Sequence, residues 1–333
     1  MPGELTELTE LTTALGMLVY DDPIEAIAAR PAELVNVGDA QWERLAATIS
    51  TGAHESSLQS AWRNGRAFLL ARDGLRGRLP VRIEWKGPQH LTGYDTLPAD
   101  LRIDHVYLIS CKYMSKILMN PSPPHLFDRA LAVREGAEQV DWYEETARAE
   151  YHALYREVRE LIGGGLPPKP AALTRAQRDF IGESIPGRWP EPLVAPATAF
   201  SLAVGVASAE RWRRRLTSAR DQEQMLWRIL RLNSAPYFVL GASQSRTLRL
   251  RIGTPWDWRQ LFRLRTFEVA GRGSGQPCVD WVALVEHREA RQSVAVRGHV
   301  EVRWSHGKFC GAPEAKVYLD SPHDQVPGYF ELT

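Results

Sequence analysis

Residues 98–113 read PADLRIDHVYLISCKY, an alternating apolar and β-branched run interrupted once by Asp104 and His105. A polar pair between two such runs marks a tight turn, which divides the stretch into two short antiparallel strands, 101–103 and 106–112, with Asp100 opening the first. A period of two sends Val106, Leu108, Ser110 and Lys112 to one face and Tyr107, Ile109 and Cys111 to the other. Pairing across the hairpin brings Asp100 beside the end that carries Ser110 and Lys112. A chain with this hairpin is committed to a sheet that has an acid and a lysine at its rim.

The rest of the chain supplies layers for that sheet. Apolar residues at helical spacing over 5–30, then DAQWERLAATIS begun by Asp39, give a helical lead-in. Strands are expected from about 67 to 113, beginning in AFLLARDGLRGRLPVRIEWKG. NPSPPHLFDRALAV leads into a helix, EQVDWYEETARAEYHALYREVRELIGGG reads as one long amphipathic helix closed by glycines, and GGGLPPKPAALT is the best linker candidate. AERWRRRLTSARDQEQMLWRILRLN is a basic helix, and from Pro236 the text turns β-rich. The expected fold is α+β or α/β, a mixed sheet flanked by helices. Its linear order is a helical lead-in and core over 1–165, a helical connector over 166–235 and a β-rich region over 236–333.

Forty-one Lys and Arg against forty Asp and Glu leave a formal charge of +1, so any nucleic-acid contact must rest on local patches. Cys111, Cys278 and Cys310 are odd in number and widely spaced, which supports neither a disulfide framework nor a zinc site. With no basic leader and no apolar run of membrane-spanning length, a cytoplasmic protein without a membrane partner is expected.

An acid and a lysine converging on a rigid rim suit phosphodiester hydrolysis. The acid holds Mg²⁺ (or Mn²⁺) through oxygen, and the lysine orients or deprotonates the attacking water and offsets developing charge. Pro98-Ala99-Asp100, nine residues, then Ser110-Cys111-Lys112 resembles the PD-(D/E)xK nuclease superfamily, which includes most type II restriction endonucleases. The resemblance covers about 65 residues, from the Glu84 strand to the helix after Pro124. It implies a restriction-endonuclease-like fold and a catalytic set of Asp100, Ser110, Lys112 and a further carboxylate. The family's second acid is here Ser110, as in its S-x-K members, so another residue has to supply that carboxylate.

Glu84, in VRIEWKG, is the first choice, and Asp128 and Glu135 are alternatives. Asp104 rivals Asp100 as the first acid, but the seven residues between it and Lys112 leave little room for a turn. Glu84-Trp85-Lys86 is itself an E-x-K, with Asp73 as its upstream acid in a segment that reads as a turn. Cys111 reads as an inert core thiol.

Arg211, Arg213, Arg214 and Arg215 form either a solvated helix face or a phosphate-contacting one. Trp256, Trp258, Arg259 and Arg263 suit a surface for DNA backbone or bases, or else a β-domain core strand with an arginine-rich outer face. Arg303, His306 and Lys308 are candidates for base-edge readout. The resemblance implies a Mg²⁺-dependent DNA endonuclease of restriction or another defence against foreign DNA. A homodimer would cut both strands, and a helicase or methyltransferase is a further partner class. The alternative is a nuclease-fold DNA-binding or scaffold subunit without catalysis. A nuclease that recognises DNA ends or junctions is a third reading.

Overall fold

The computed structural model describes residues 4–87, 99–113, 117–131, 141–233, 236–243, 246–273, 275–305 and 307–333. The chain begins with α1 (Glu4–Leu15), α2 (Pro23–Ala29), β1 (Leu34–Val35), α3 (Asp39–Ser50) and α4 (Glu55–Leu70). Four strands follow, β2 (Ile83–Trp85), β3 (Leu101–Ile103), β4 (Tyr107–Tyr113) and β5 (Ile117–Met119), then a π-helical turn at Pro124–Asp128. Next come α5 (Trp142–Thr146), α6 (Arg148–Ile162), α7 (Arg175–Ser184), α8 (Glu191–Arg215) and α9 (Ala219–Ile229). The remainder is β6 (Tyr237–Ser243), β7 (Arg246–Ile252), α10 (Pro255–Leu261), β8 (Phe262–Gly273), β9 (Pro277–His287), β10 (Ser293–Trp304), β11 (Pro313–Leu319) and β12 (Tyr329–Glu331).

The chain forms two compact units, each assembled from separated segments. Unit 1 takes Met1–Lys116, Arg231–Leu261 and His323–Thr333, and unit 2 takes Ile117–Leu230 and Phe262–Pro322. This corrects the linear division at 165 and 235. The glycine-rich stretch after α6 lies inside unit 2, and β6 and β7 return to the first sheet instead of founding a C-terminal region. The physical reason is pairing: β6 lies parallel to β4, and parallel neighbours need a crossover, here as long as most of unit 2.

Unit 1 is a mixed sheet in the order β1-β2-β3-β4-β6-β7-β12. β2, β3 and β4 form an antiparallel meander, with β1 parallel to β2 at one edge and β6 parallel to β4 on the other side. The hairpin turn falls where the sequence puts it. Asp104 and His105 both take positive φ, 49° and 58°, and Val106 joins them in the connection, since Ile103 pairs with Tyr107 and the second strand starts one residue later than expected. Tyr107, Ile109 and Cys111 join Ile83, Trp85, Leu101, Ile103, Phe238 and Leu240 in a core shared with α1 to α4, so the expected lead-in helices are one layer of the fold.

Residues 67–70 belong to α4, not to a strand, because a continuous apolar run of that length does not distinguish the two. Gly16 and Gly65 let α1 and α4 approach closely: a Cβ on Gly65 would sit 2.1 Å from the Thr13 carbonyl oxygen.

Unit 2 is an antiparallel sheet in the order β5-β11-β10-β9-β8, crossed by α8. The expected long helix after residue 138 breaks at Ala147 into α5 and α6, and the expected basic helix is two, separated at Leu216 with Ser218 capping α9. By length and composition α8 could cross a membrane, but its buried face, which includes Phe200, Val204, Ala209 and Trp212, belongs to the unit's core.

Candidate functional site

The hairpin brings Asp100 and Ser110 together. The Asp100 Oδ2 accepts the Cys111 backbone N–H at 2.6 Å and the Ser110 hydroxyl at 3.2 Å. Main-chain bonds on both sides hold Asp100 in place: its N–H donates to the Ile109 carbonyl, and its carbonyl accepts from the Lys86 N–H. Ser110 is buried and also lies within hydrogen-bonding reach of the Tyr237 hydroxyl, whose pKa burial pushes up to about 12. In this chain the serine positions Asp100. The half-buried Lys112 stands one step along the same face.

Opposite the hairpin, α1 contributes a carboxylate that the sequence reading missed. Glu10 is 6% exposed and accepts the Trp85 indole N–H at 2.8 Å. Burial raises its pKa to about 8; the Asp100 charge pushes the same way, while the Trp85 hydrogen bond and the Lys112 charge oppose it. The Asp100 and Lys112 charges thus both act on Glu10. In ELTELTELTTAL, Glu4, Glu7 and Glu10 repeat at three-residue spacing, but only Glu10 falls among the fully buried positions.

A second missed residue is Arg231, whose desolvated guanidinium faces Tyr237, Tyr329 and Asp100; burial lowers its pKa against those three. Burial, Asp100 and then Glu10 drive the Cys111 thiol well above its ordinary range, so it is no nucleophile.

A buried polar network anchors the lysine strand. The Tyr113 hydroxyl lies 2.7 Å from Thr13 Oγ1 of α1 and accepts from the Asn64 amide of α4 at 3.1 Å. The same amide donates to the Gly241 carbonyl, and the Asn64 Oδ1 accepts from the Arg249 guanidinium. Gly241 sits so close that a Cβ there would lie 2.1 Å from the Lys112 carbonyl oxygen. Asn64→Ala strands several of these partners at once. It is expected to cost about 2–4 kcal/mol, measured as a lower urea midpoint at unchanged slope.

The other sequence candidates are placed elsewhere. Glu84 lies on the opposite face of β2 from Trp85, where Arg102 holds it, with Arg82 at 3.2 Å and His105 at 3.6 Å. It serves a cross-strand ion cluster and does not turn towards Glu10. Asp104 caps the turn, accepting the Val81 and Arg82 N–H groups at the far end of β3 from Asp100. Asp73 is paired with Arg251. Asp128 belongs to unit 2, where Arg211 binds it at 2.9 Å. Pro98, Glu135 and His306 lie outside the described residues.

Arg211 is committed to Asp128 and Glu145 and lies over the Trp142 ring, whereas Arg213, Arg214 and Arg215 are exposed, Arg214 beside Glu210. Trp258 is 0% exposed, so it is a core residue and not the surface aromatic expected. Trp256 is 70% exposed and Arg259 is exposed beside it, while Arg263, also exposed, falls in the other unit. Arg303 and Lys308 line a cavity in unit 2.

Among the described residues no three His, Cys, Asp or Glu side chains gather closely enough to hold a metal ion by themselves. Two carboxylates suffice for Mg²⁺, which keeps several waters and takes its remaining ligands from phosphate oxygens. Asp100 and Glu10 are hard oxygen donors of that kind. No protein-family model, no curated protein and no solved structure matches this chain, so the chemistry of the site rests on its own geometry.

Proposed function

We propose that unit 1 is a Mg²⁺-dependent nuclease that hydrolyses phosphodiester bonds in DNA. The observation that carries this reading is Asp100 held by Ser110 and Cys111 at the rim of a three-stranded meander that also bears Lys112; Glu10, on which both their charges act, is our candidate for the acid that Ser110 does not supply. Asp100 and Glu10 would hold the cation, which when bound supplies charge to polarise the phosphate and acidify water. Ser110, Tyr237 and Arg231 keep the Asp100 carboxylate in place. Lys112 orients the attacking water and offsets the charge that grows on phosphorus-bound oxygen as the new P–O bond forms. The old P–O bond then breaks; the attacking water gives its proton to solvent and the leaving oxygen takes one from solvent. The setting that fits is restriction or another defence against foreign DNA.

One observation favours the alternative of a DNA-binding scaffold: without a cation, Glu10 holds its proton at neutral pH and Asp100 is already engaged by Ser110 and Cys111. Supercoiled plasmid with Mg²⁺, Mn²⁺ or chelator separates the two. Lys112→Ala is expected to lower the cleavage rate at least about 100-fold with DNA affinity little changed. Undiminished cleavage by that variant would end the assignment, and a wild type inert with both metals would leave the scaffold.

A further inference from the structure

Unit 2 contains a cavity of about 610 Å³, within the ordinary range for a small-molecule site. It lies between the loop that follows α7, the first half of α8, the β8–β9 turn and the end of β10. Its floor is aromatic. Trp304 stacks on Phe200 with 20° between the ring planes and meets Tyr143 edge-on at 4.9 Å, and Trp189 closes one side 6.5 Å from Trp304.

Among the described residues Arg188 and Lys308 bring cations to the cavity and no Asp or Glu lines it. Arg303 borders it through β10, but its side chain leaves the strand on the face opposite Trp304, 3.5 Å from Glu301. Lys308 fastens the loop: its ammonium donates to the Ile185 and Gly187 carbonyls and lies over the Trp189 ring at 4.7 Å. Burial lowers its pKa, a penalty that an anion nearby would relieve.

Aromatic walls beside two cations favour a ligand with a flat ring at one end and an anion at the other. The polar groups in the wall, the Gln276 amide and the hydroxyls of Ser201 and Thr198, suit ring nitrogens and exocyclic groups, which a plain phenyl ring lacks. We infer that this cavity binds a nucleotide, its base on the Trp304 and Trp189 side and its phosphate between Arg188 and Lys308. Base stacking on an aromatic contributes about 1–3 kcal/mol, and guanidinium–phosphate pairs are among the strong polar contacts. Two sources share this chemistry, a free nucleotide and a base turned out of a nucleic-acid strand.

Calorimetric titration of the full chain with the four deoxynucleoside monophosphates, their nucleosides, inorganic phosphate and a tetranucleotide tests the inference. At least one monophosphate is expected to bind one to one, at least about tenfold tighter than its nucleoside or phosphate alone. Arg188→Ala, at an exposed position, is expected to weaken that binding about tenfold. A tetranucleotide that binds at least as tightly identifies a strand as the source, and one that does not identifies the free nucleotide. Saturable binding by neither, a nucleoside as tight as its nucleotide, or an unchanged affinity in Arg188→Ala overturns it. The site in unit 1 uses none of these residues, so plasmid cleavage without nucleotide binding overturns this inference alone.

Discussion

Glu10→Gln is expected to yield a protein that folds more stably at pH 8 to 9 than the wild type and no longer cleaves DNA. The two effects have one origin. Burial and the neighbouring Asp100 hold the Glu10 carboxyl protonated up to about pH 8, well above an ordinary carboxylate. Below about pH 4.5 folded and unfolded chains both carry that proton, and the group costs nothing. Between there and pH 8 the unfolded chain releases a proton that the folded chain keeps, so stability falls as pH rises and the full loss is present above pH 8.

Gln keeps the shape and still accepts the Trp85 N–H, but it cannot ionise. Thermal unfolding from pH 4 to 9 should show the variant and the wild type close together at the acid end. They should separate by a few kcal/mol at the alkaline end. A glutamine oxygen is also a poorer cation ligand than a carboxylate, and cleavage should drop at least about 100-fold. A variant no more stable than the wild type at pH 9 would show that the fold does not raise the Glu10 pKa. One that cleaves normally would show that the second acid lies elsewhere.

Gly271→Val is expected to prevent unit 2 from folding. Here α8 crosses β8 backbone to backbone, and a Cβ on Gly271 would lie 2.4 Å from the main-chain carbon and oxygen of Gly205. On the other side of the contact, a Cβ on Gly205 would lie 2.6 Å from the Arg272 carbonyl oxygen. Neither obstacle is a flexible side chain that can swing away, so relief means lifting the helix off the sheet. That lift would open the core that Phe200, Val204, Ala209 and Trp212 share. The cost should exceed the roughly 1–3 kcal/mol of ordinary overpacking and should appear as lost near-ultraviolet dichroism and early proteolysis of residues 117–230. Gly163 gives the contrast. Open space surrounds it, so Ala there meets no obstacle and should cost only about 1–3 kcal/mol of backbone strain, from its φ of 63° and ψ of −139°. Equal stability of Gly271→Val and the wild type would mean that helix and sheet do not meet this closely.

The hairpin was legible because its information is local: a polar pair between alternating runs sets the turn, and the turn sets which residues share a face. Asp100 beside Ser110 follows from that alone. The source of the second acid was not legible. Glu84 shares a sheet face with Leu108 and Ser110, but Arg102 opposite it, with Arg82 and His105, takes its carboxylate into an ion cluster. Trp85, on the other face, reaches Glu10 of α1. Glu10 itself sits in a threefold repeat whose members differ only in what packs on them, and packing is set by α4 and the sheet. Trp258 was misread for a related reason, since two tryptophans two positions apart on one short helix face different ways, Trp256 to the surface and Trp258 to the core. The division into units depends on the β4–β6 pairing, which no local pattern announces.

That pairing also sets an order of assembly. Synthesis delivers β2, β3 and β4 early, but the neighbour of β4 arrives only after residues 114–236 have been made, and β12 later still. Until then the apolar strand that carries Ser110 and Lys112 is an open edge, the kind of template to which a second chain adds. Contacts this distant in sequence slow folding, because the intervening loop must close before they contribute. The nascent protein therefore passes through a long interval in which the sheet that carries Asp100 and Lys112 has an open edge, a surface of the kind that holdase chaperones shield.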